Sequence, residues 1–139
     1  MNILIVEDSE PEKIIIKEAF KEANVNCNLC MAKDGVEALE FLNQEGEFER
    51  APKPNLIILD LNLPRKNGLE VLAEVKNNPK WRHIPILIFS NSEFPMDICQ
   101  CYELNANAYI NKPSEFQEFI DLANMINVFW LKAACYYSH

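Results

Sequence analysis

Leu56-Ile57-Ile58-Leu59-Asp60 is a run of four apolar residues closed by an acid. A short continuous run of this kind suits a strand buried on both faces of a parallel sheet. Two other segments share its character. Ile3-Leu4-Ile5-Val6 is followed by Glu7 and Asp8, and Ile84 to Phe89, broken only by Pro85, is followed by Ser90. Val25 to Met31 alternates apolar and polar residues more, as an edge strand does, and Ala108-Tyr109-Ile110 is a short fifth candidate.

Helical patterns lie between these runs, and most have marked starts. Ser9 with Glu12 forms a capping box with Pro11 in the first turn, ahead of Ile15, Ile16, Ala19, Phe20 and Ala23. Asp34 with Glu37 and Asn67 with Glu70 repeat the box before two further periodic segments. Pro95 opens a helix running to Leu104, and Asn105 suits the left-handed position after it. Ser114 with Gln117 is expected to open the last helix, which carries Phe116, Phe119, Ile120, Ala123, Ile126 and Trp130. Gln44 to Asn55 is the one long connection, charged and closed by Pro52 and Pro54.

The order is therefore βαβαβαβαβα. Regular alternation implies a parallel sheet with helices on both faces. Two alternating strands fit the edges and three apolar strands fit the middle. The expected fold is α/β, a flavodoxin-like (βα)5 three-layer sandwich with sheet order 2-1-3-4-5.

The bulk numbers agree with one folding unit. The chain has 139 residues, 49% of them hydrophobic and 24% charged, with 3 glycines and no repeat or low-complexity tract. Residues 1–139 are expected to form a single domain without an output domain. A net charge of −8 disfavours binding to a phosphate backbone, so no nucleic-acid partner is expected. No apolar run approaches the roughly 20 residues that span a bilayer, and no charged region followed by an apolar one marks a secretory signal. A cytoplasmic location without membrane attachment is expected. Cys27 and Cys30 form a C-x-x-C, but in a strand residues three apart point to opposite faces. Cys99 and Cys101 lie in a helical pattern and Cys135 is alone, so the five cysteines read as reduced thiols. The closing Tyr136-Tyr137-Ser138-His139 is open between native sequence and an added remnant.

In a sheet of this order ligands bind beyond the carboxyl ends of the strands, near the point where strand order reverses. Parallel strands bring Glu7, Asp8, Asp60, Ser90 and Lys112-Pro113 to one rim. Three clustered carboxylates repel one another and call for a cation. Mg²⁺ takes oxygen ligands, keeps several waters and often bridges to phosphate. A carboxylate is a competent nucleophile toward phosphorus and yields an aspartyl phosphate. The Lys112 ammonium and the Ser90 hydroxyl suit the remaining phosphoryl oxygens. Each residue alone reads more simply, as a turn former or a solvated charge. The set is what points to phosphoryl chemistry.

The same segments resemble the receiver domains of two-component response regulators across essentially the whole chain. They are Ile3 to Asp8, Leu56 to Pro64 with Gly68, Ile88-Phe89-Ser90, and Ala108 to Pro113. The resemblance implies Asp60 as phosphoacceptor, Asp8 as the main Mg²⁺ carboxylate, Glu7 acting through water, and Asn62 offering its backbone carbonyl. It implies a cis Lys112-Pro113 peptide and a switch in which Ser90 moves inward and Tyr109 takes the vacated space. The long Glu45–Pro54 loop, Leu63 to Gly68, and Phe129-Trp130-Leu131 further resemble stand-alone regulators that partner cyanobacterial phytochromes. The implied partner is a sensor histidine kinase, of phytochrome type or otherwise, or a phosphotransfer protein. Ser90 stands where Thr is commoner, keeping the hydroxyl, and Asn91 stands where a smaller residue is usual.

Such a domain catalyses only its own phosphorylation and dephosphorylation. The apolar tail Ile126 to Leu131 either covers the domain's own core or forms a homodimer contact. Two other readings compete. A pseudo-receiver would act only as a protein-interaction module. A haloacid-dehalogenase-type phosphatase needs an acid two residues after the nucleophile, where this chain has Asn62.

Overall fold

The computed structural model describes residues 1–136, so the last three residues of the closing stretch lie outside the described residues. Five strands alternate with five helices: β1 (Asn2–Val6), α1 (Glu10–Glu22), β2 (Asn28–Ala32), α2 (Gly35–Asn43), β3 (Leu56–Asp60), α3 (Gly68–Asn77), β4 (Ile86–Ser90), α4 (Pro95–Glu103), β5 (Ala108–Asn111) and α5 (Phe116–Ile126). All pairings are parallel and the strand order is β2-β1-β3-β4-β5, as the patterning requires. The chain is a flavodoxin-like three-layer sandwich.

Every residue of β3 and β4 is buried, and alternate side chains serve opposite layers. Leu4, Val6, Ile57, Leu59, Ile86 and Ile88 pack toward α2, α3 and α4. Ile3, Ile5, Leu56, Ile58, Leu87 and Phe89 pack toward α1 and α5. Fully burying one such side chain is worth about 1.5–3 kcal/mol. Two complete apolar layers therefore let the rim carry charges that do not favour folding. The two thiols of the C-x-x-C divide in the same way, Cys30 against the first layer and Cys27 against the second.

Several boundaries differ from expectation. The second strand is Asn28–Ala32 rather than Val25–Met31, because Val25 still donates its N–H to the Phe20 carbonyl at the end of α1. The long connection contains a 3₁₀ turn at Gly46–Phe48, and the Phe48 ring packs 5.4 Å from that of Phe41. Among the described residues only Asn67 and Glu70 complete a capping box. α5 starts at Phe116 after Glu115, without a side-chain cap, since the Ser114 hydroxyl lies 3.3 Å from the Glu118 carboxylate instead. After α5 the chain continues as a π-helical segment, Asn127–Ala133. It splits the tail's apolar residues. Trp130 and Leu131 pack on the core, while Met125, Val128 and Phe129 are exposed. Among the described residues no helix is long and apolar enough to cross a membrane.

The loop after β3 is held closely against its neighbours. A Cβ on Gly68 would lie 2.3 Å from the Asp60 carbonyl oxygen, and one on Gly35 would lie 2.1 Å from that of Lys66. Only glycine allows these approaches. Arg65 takes a left-handed conformation (φ 62°). Its guanidinium clasps Asp34 through Nε at 2.7 Å and Nη2 at 3.0 Å. Asp34 is buried and also caps α2, accepting from the Glu37 N–H at 2.8 Å. Burial alone would raise the Asp34 pKa, but the Arg65 bonds and the Glu37 N–H overcome it and hold the carboxyl below its usual range.

A carboxylate with a depressed folded pKa stabilises above its unfolded value, near pH 4, and loses that contribution as pH falls through its folded pKa. Asp34→Ala is expected to cost about 1 kcal/mol at neutral pH through the lost cap alone. In denaturant titrations the gap to the parent protein should narrow below about pH 4. A gap that does not change with pH would contradict this account of Asp34.

Candidate functional site

The rim beyond β1, β3, β4 and β5 carries the polar groups, and register sets them level. Val6 pairs with Leu59, Asp60 with Phe89, and Ser90 with Asn111. Glu7 and Asp8 leave β1, Asp60 ends β3, and Ser90 ends β4. Lys112 follows β5 and continues its ladder by donating its N–H to the Ser90 carbonyl at 2.9 Å. Glu7, Asp60 and Ser90 are buried, whereas Asp8 faces solvent. Glu7, Asp8 and Asp60 each place a carboxylate oxygen within 4.8 Å of the others.

Lys112 ties this rim together. Its side chain is only 6% exposed, and its Nζ lies 3.1 Å from Glu7 Oε2, 3.1 Å from Asp60 Oδ2 and 2.6 Å from Glu12 Oε2. Burial alone would lower its pKa, but the bond to Glu12 and the charges of Asp60 and Glu7 raise it, so the ammonium is kept. Burial, the hydrogen bond with Glu12 and the charge of Asp60 push the Glu7 carboxyl up to about 8, against the pull of the Ser9 N–H and Lys112. Burial also works against ionisation of Glu12, but its bonds with Glu7 and Lys112 hold its pKa down. Three acidic side chains thus surround one ammonium, and Asp8 stands beside Glu7 and Asp60. An excess of negative charge in oxygen donors is a fit for a hard divalent cation.

Among the described residues no peptide bond is cis, so Lys112-Pro113 is trans, contrary to the expectation. Trans is the lower-energy X–Pro isomer by about 0.5–1 kcal/mol, and the lysine reaches Asp60 from it.

The remaining sequence-derived residues take definite places. Asn62 is exposed and donates its backbone N–H to Asp60 Oδ1 at 3.2 Å, with its side chain free of the cluster. The Ser90 hydroxyl accepts from the Ser92 N–H at 3.1 Å. The Tyr109 hydroxyl donates to the Ser92 carbonyl at 2.8 Å, and its ring packs on the α3/α4 side of the core. Ser92 therefore links the two residues of the expected switch. Its own hydroxyl lies 2.5 Å from Asp97 Oδ2, in the first turn of α4. An open groove of about 430 Å³ runs from Asp8 past Asn62 and Ser90 to Ser92 and Asp97, and leads to the acids. The Asn91 side chain is exposed rather than filling this space.

Sequence reasoning did not place Glu12, Ser92 or Asp97 here. Glu12 was read as half of a capping box, and the Ser9 hydroxyl does accept from its N–H at 3.4 Å. Its carboxylate instead goes to Lys112.

Comparison with known proteins gives the family. The profile of the response regulator receiver domain matches residues 3–124. The chain belongs to the response regulator receiver family. It is a two-component signalling module rather than an enzyme of the usual kind. The receiver is 41% identical over 130 residues to "Response regulator Rcp1" of Synechocystis sp., covering 94% of this chain and 88% of that protein. It is similar to the crystal structure of the phosphorylated cyanobacterial phytochrome response regulator RcpA, with a TM-score of 0.91, 39% identity, and 99% and 98% of the two chains covered. It is also similar to the Mn²⁺-bound form of response regulator Rcp1, with a TM-score of 0.89 and 39% identity over 99% of each chain.

Proposed function

We propose that this receiver accepts a phosphoryl group on Asp60 from a sensor histidine kinase, of the phytochrome type, or from a phosphotransfer protein. The observation that carries this reading is the contact of Lys112 Nζ with Asp60 Oδ2 inside a carboxylate cluster that opens to a groove. The phosphorylated RcpA relative and the Mn²⁺-bound Rcp1 relative support it by similarity.

In this reading Asp8, Asp60 and Glu7, the last through water, would hold Mg²⁺ together with the Asn62 backbone carbonyl. When bound, the cation neutralises carboxylate charge and draws in the incoming phosphoryl oxygens. Asp60 is positioned by the Asn62 N–H and by Lys112. An oxygen of Asp60 attacks phosphorus, and the bond from phosphorus to the donor breaks with its electron pair going to the donor. Lys112 and the Ser90 hydroxyl hold oxygens of the transferred group. Self-catalysed phosphorylation and dephosphorylation are the whole of its chemistry.

The phosphoryl group, which carries about −1.5 to −2 charge, draws the Ser90 hydroxyl toward it. Ser90 then leaves the Ser92 N–H, and Tyr109 and α4 respond through Ser92. We take the domain to be cytoplasmic, with a signal that leaves by protein contact and without nucleic-acid or membrane binding. The net charge of −8 supports the absence of a nucleic-acid partner.

Incubation with acetyl phosphate and Mg²⁺ should add one phosphoryl mass, absent in Asp60→Asn and without Mg²⁺. An unmodified parent protein that its kinase also leaves unmodified would favour the interaction-module reading. The exposed Met125, Val128 and Phe129 fit a homodimer contact. Sedimentation should then show a dimer that weakens in Phe129→Asp; a monomer with and without a phosphoryl mimic would remove the dimer.

A further inference from the structure

Glu12 lies on α1, and none of the roles above uses it, yet its contact with Lys112 is the shortest that the ammonium makes. We propose that Glu12 is the resting partner of Lys112 and the one that yields when the phosphoryl group arrives, so that it sets how readily the lysine is recruited. The inference rests on Asp60 as phosphoacceptor.

An ammonium has three N–H donors. In the resting site oxygens of three acidic side chains accept them: Glu12 at 2.6 Å, Glu7 at 3.1 Å and Asp60 at 3.1 Å. Among the described residues no buried side-chain nitrogen or oxygen is left without a partner. Lys112 therefore has no spare donor for a new oxygen. Transfer forms a bond between an Asp60 oxygen and phosphorus and breaks the bond to the leaving group, which keeps the electron pair. The product presents phosphoryl oxygens that Lys112 must reach, so a resting contact has to go.

Asp60 carries the new group and keeps the lysine beside it, so the choice lies between Glu7 and Glu12, and exposure decides it. The Glu7 side chain is 3% exposed, and leaving it would strand a buried acceptor. The Glu12 side chain is 28% exposed, so water can take the place of the lysine. Its backbone need not move, because the N–H stays with the Ser9 hydroxyl in the first turn of α1. Glu12 is thus a positioning residue. It holds the lysine extended over the acids while the site is empty of phosphoryl, and competes with the phosphoryl group for it afterwards.

A general field effect makes a different prediction from a contact. Glu12→Ala removes both charge and contact. Glu12→Asp keeps the charge and withdraws the carboxylate by one methylene. Glu10→Ala is the control, since Glu10 is a neighbouring acid that pairs with Lys13 and not with Lys112. Rates of phosphoryl incorporation from acetyl phosphate with Mg²⁺ would be read by intact mass, with melting temperatures alongside. Both Glu12 variants should be phosphorylated faster, by roughly threefold to tenfold, as suits a partly exposed charged contact, and Glu10→Ala should match the parent. A faster Glu12→Ala with an unchanged Glu12→Asp would assign the effect to the field and overturn the proposal. Folded Glu12 variants at or below the parent rate would overturn it too. A parent protein that takes no phosphoryl group would instead remove the phosphoacceptor reading, and this inference with it.

Discussion

A single buried ammonium organises the rim of this protein. Lys112 follows β5, but its Nζ sits among carboxylates from the end of β1, the first turn of α1 and the end of β3. A buried charge is tolerated only with partners. Lys112 has three, and each of them would in turn be costly to bury beside the others without it. The cluster is mutually dependent. Removing the lysine would leave Glu7 and Asp60 buried among like charges, and removing the acids would leave an ammonium with 6% of its side chain in water. This coupling makes the site hold together before any cation or phosphoryl group enters.

The sheet makes the coupling possible. β1 and β3 are adjacent although β2 comes between them in the chain, so the strand order reverses at this point. Their carboxyl ends open side by side, and β4 and β5 add Ser90 and Lys112 along the same edge. Two apolar layers fix the strands and leave little freedom in where these ends lie. The β3–α3 loop is fixed in a second way, through the Asp34–Arg65 clasp and the close packing at Gly35 and Gly68. Rigidity on that side contrasts with the β4–α4 side. There Ser90, Ser92, Asp97 and Tyr109 are joined by hydrogen bonds beside an open groove. A local charge at Asp60 would be felt first on that side.

The fold was legible because strands buried on both faces must be continuously apolar, and Leu56–Leu59 and Ile3–Val6 allow no other placement. The site was legible for residues directly after strands, since parallel strands align their ends. It was less so for Glu12. Nothing in its position separates a capping carboxylate from one that reaches across to another loop, and the choice is made by Lys112, 100 residues away. The Asp34–Arg65 pair was hidden similarly. Asp34 read only as a helix cap, while its second partner depends on a left-handed turn at Arg65 that an arginine does not advertise. The cis Lys112-Pro113 bond came from resemblance rather than from any residue pattern, and the structure has trans.

The strand ends build one anionic cradle that a divalent cation would complete. Calorimetric titration with Mg²⁺ tests this most directly, comparing the parent protein with Asp8→Asn. Asp8 is exposed and takes no part in the Lys112 cluster, so its loss should leave the fold intact. One Mg²⁺ site is expected in the parent protein, with at least about tenfold weaker binding in the variant. Equal Mg²⁺ affinity in the two proteins would contradict it.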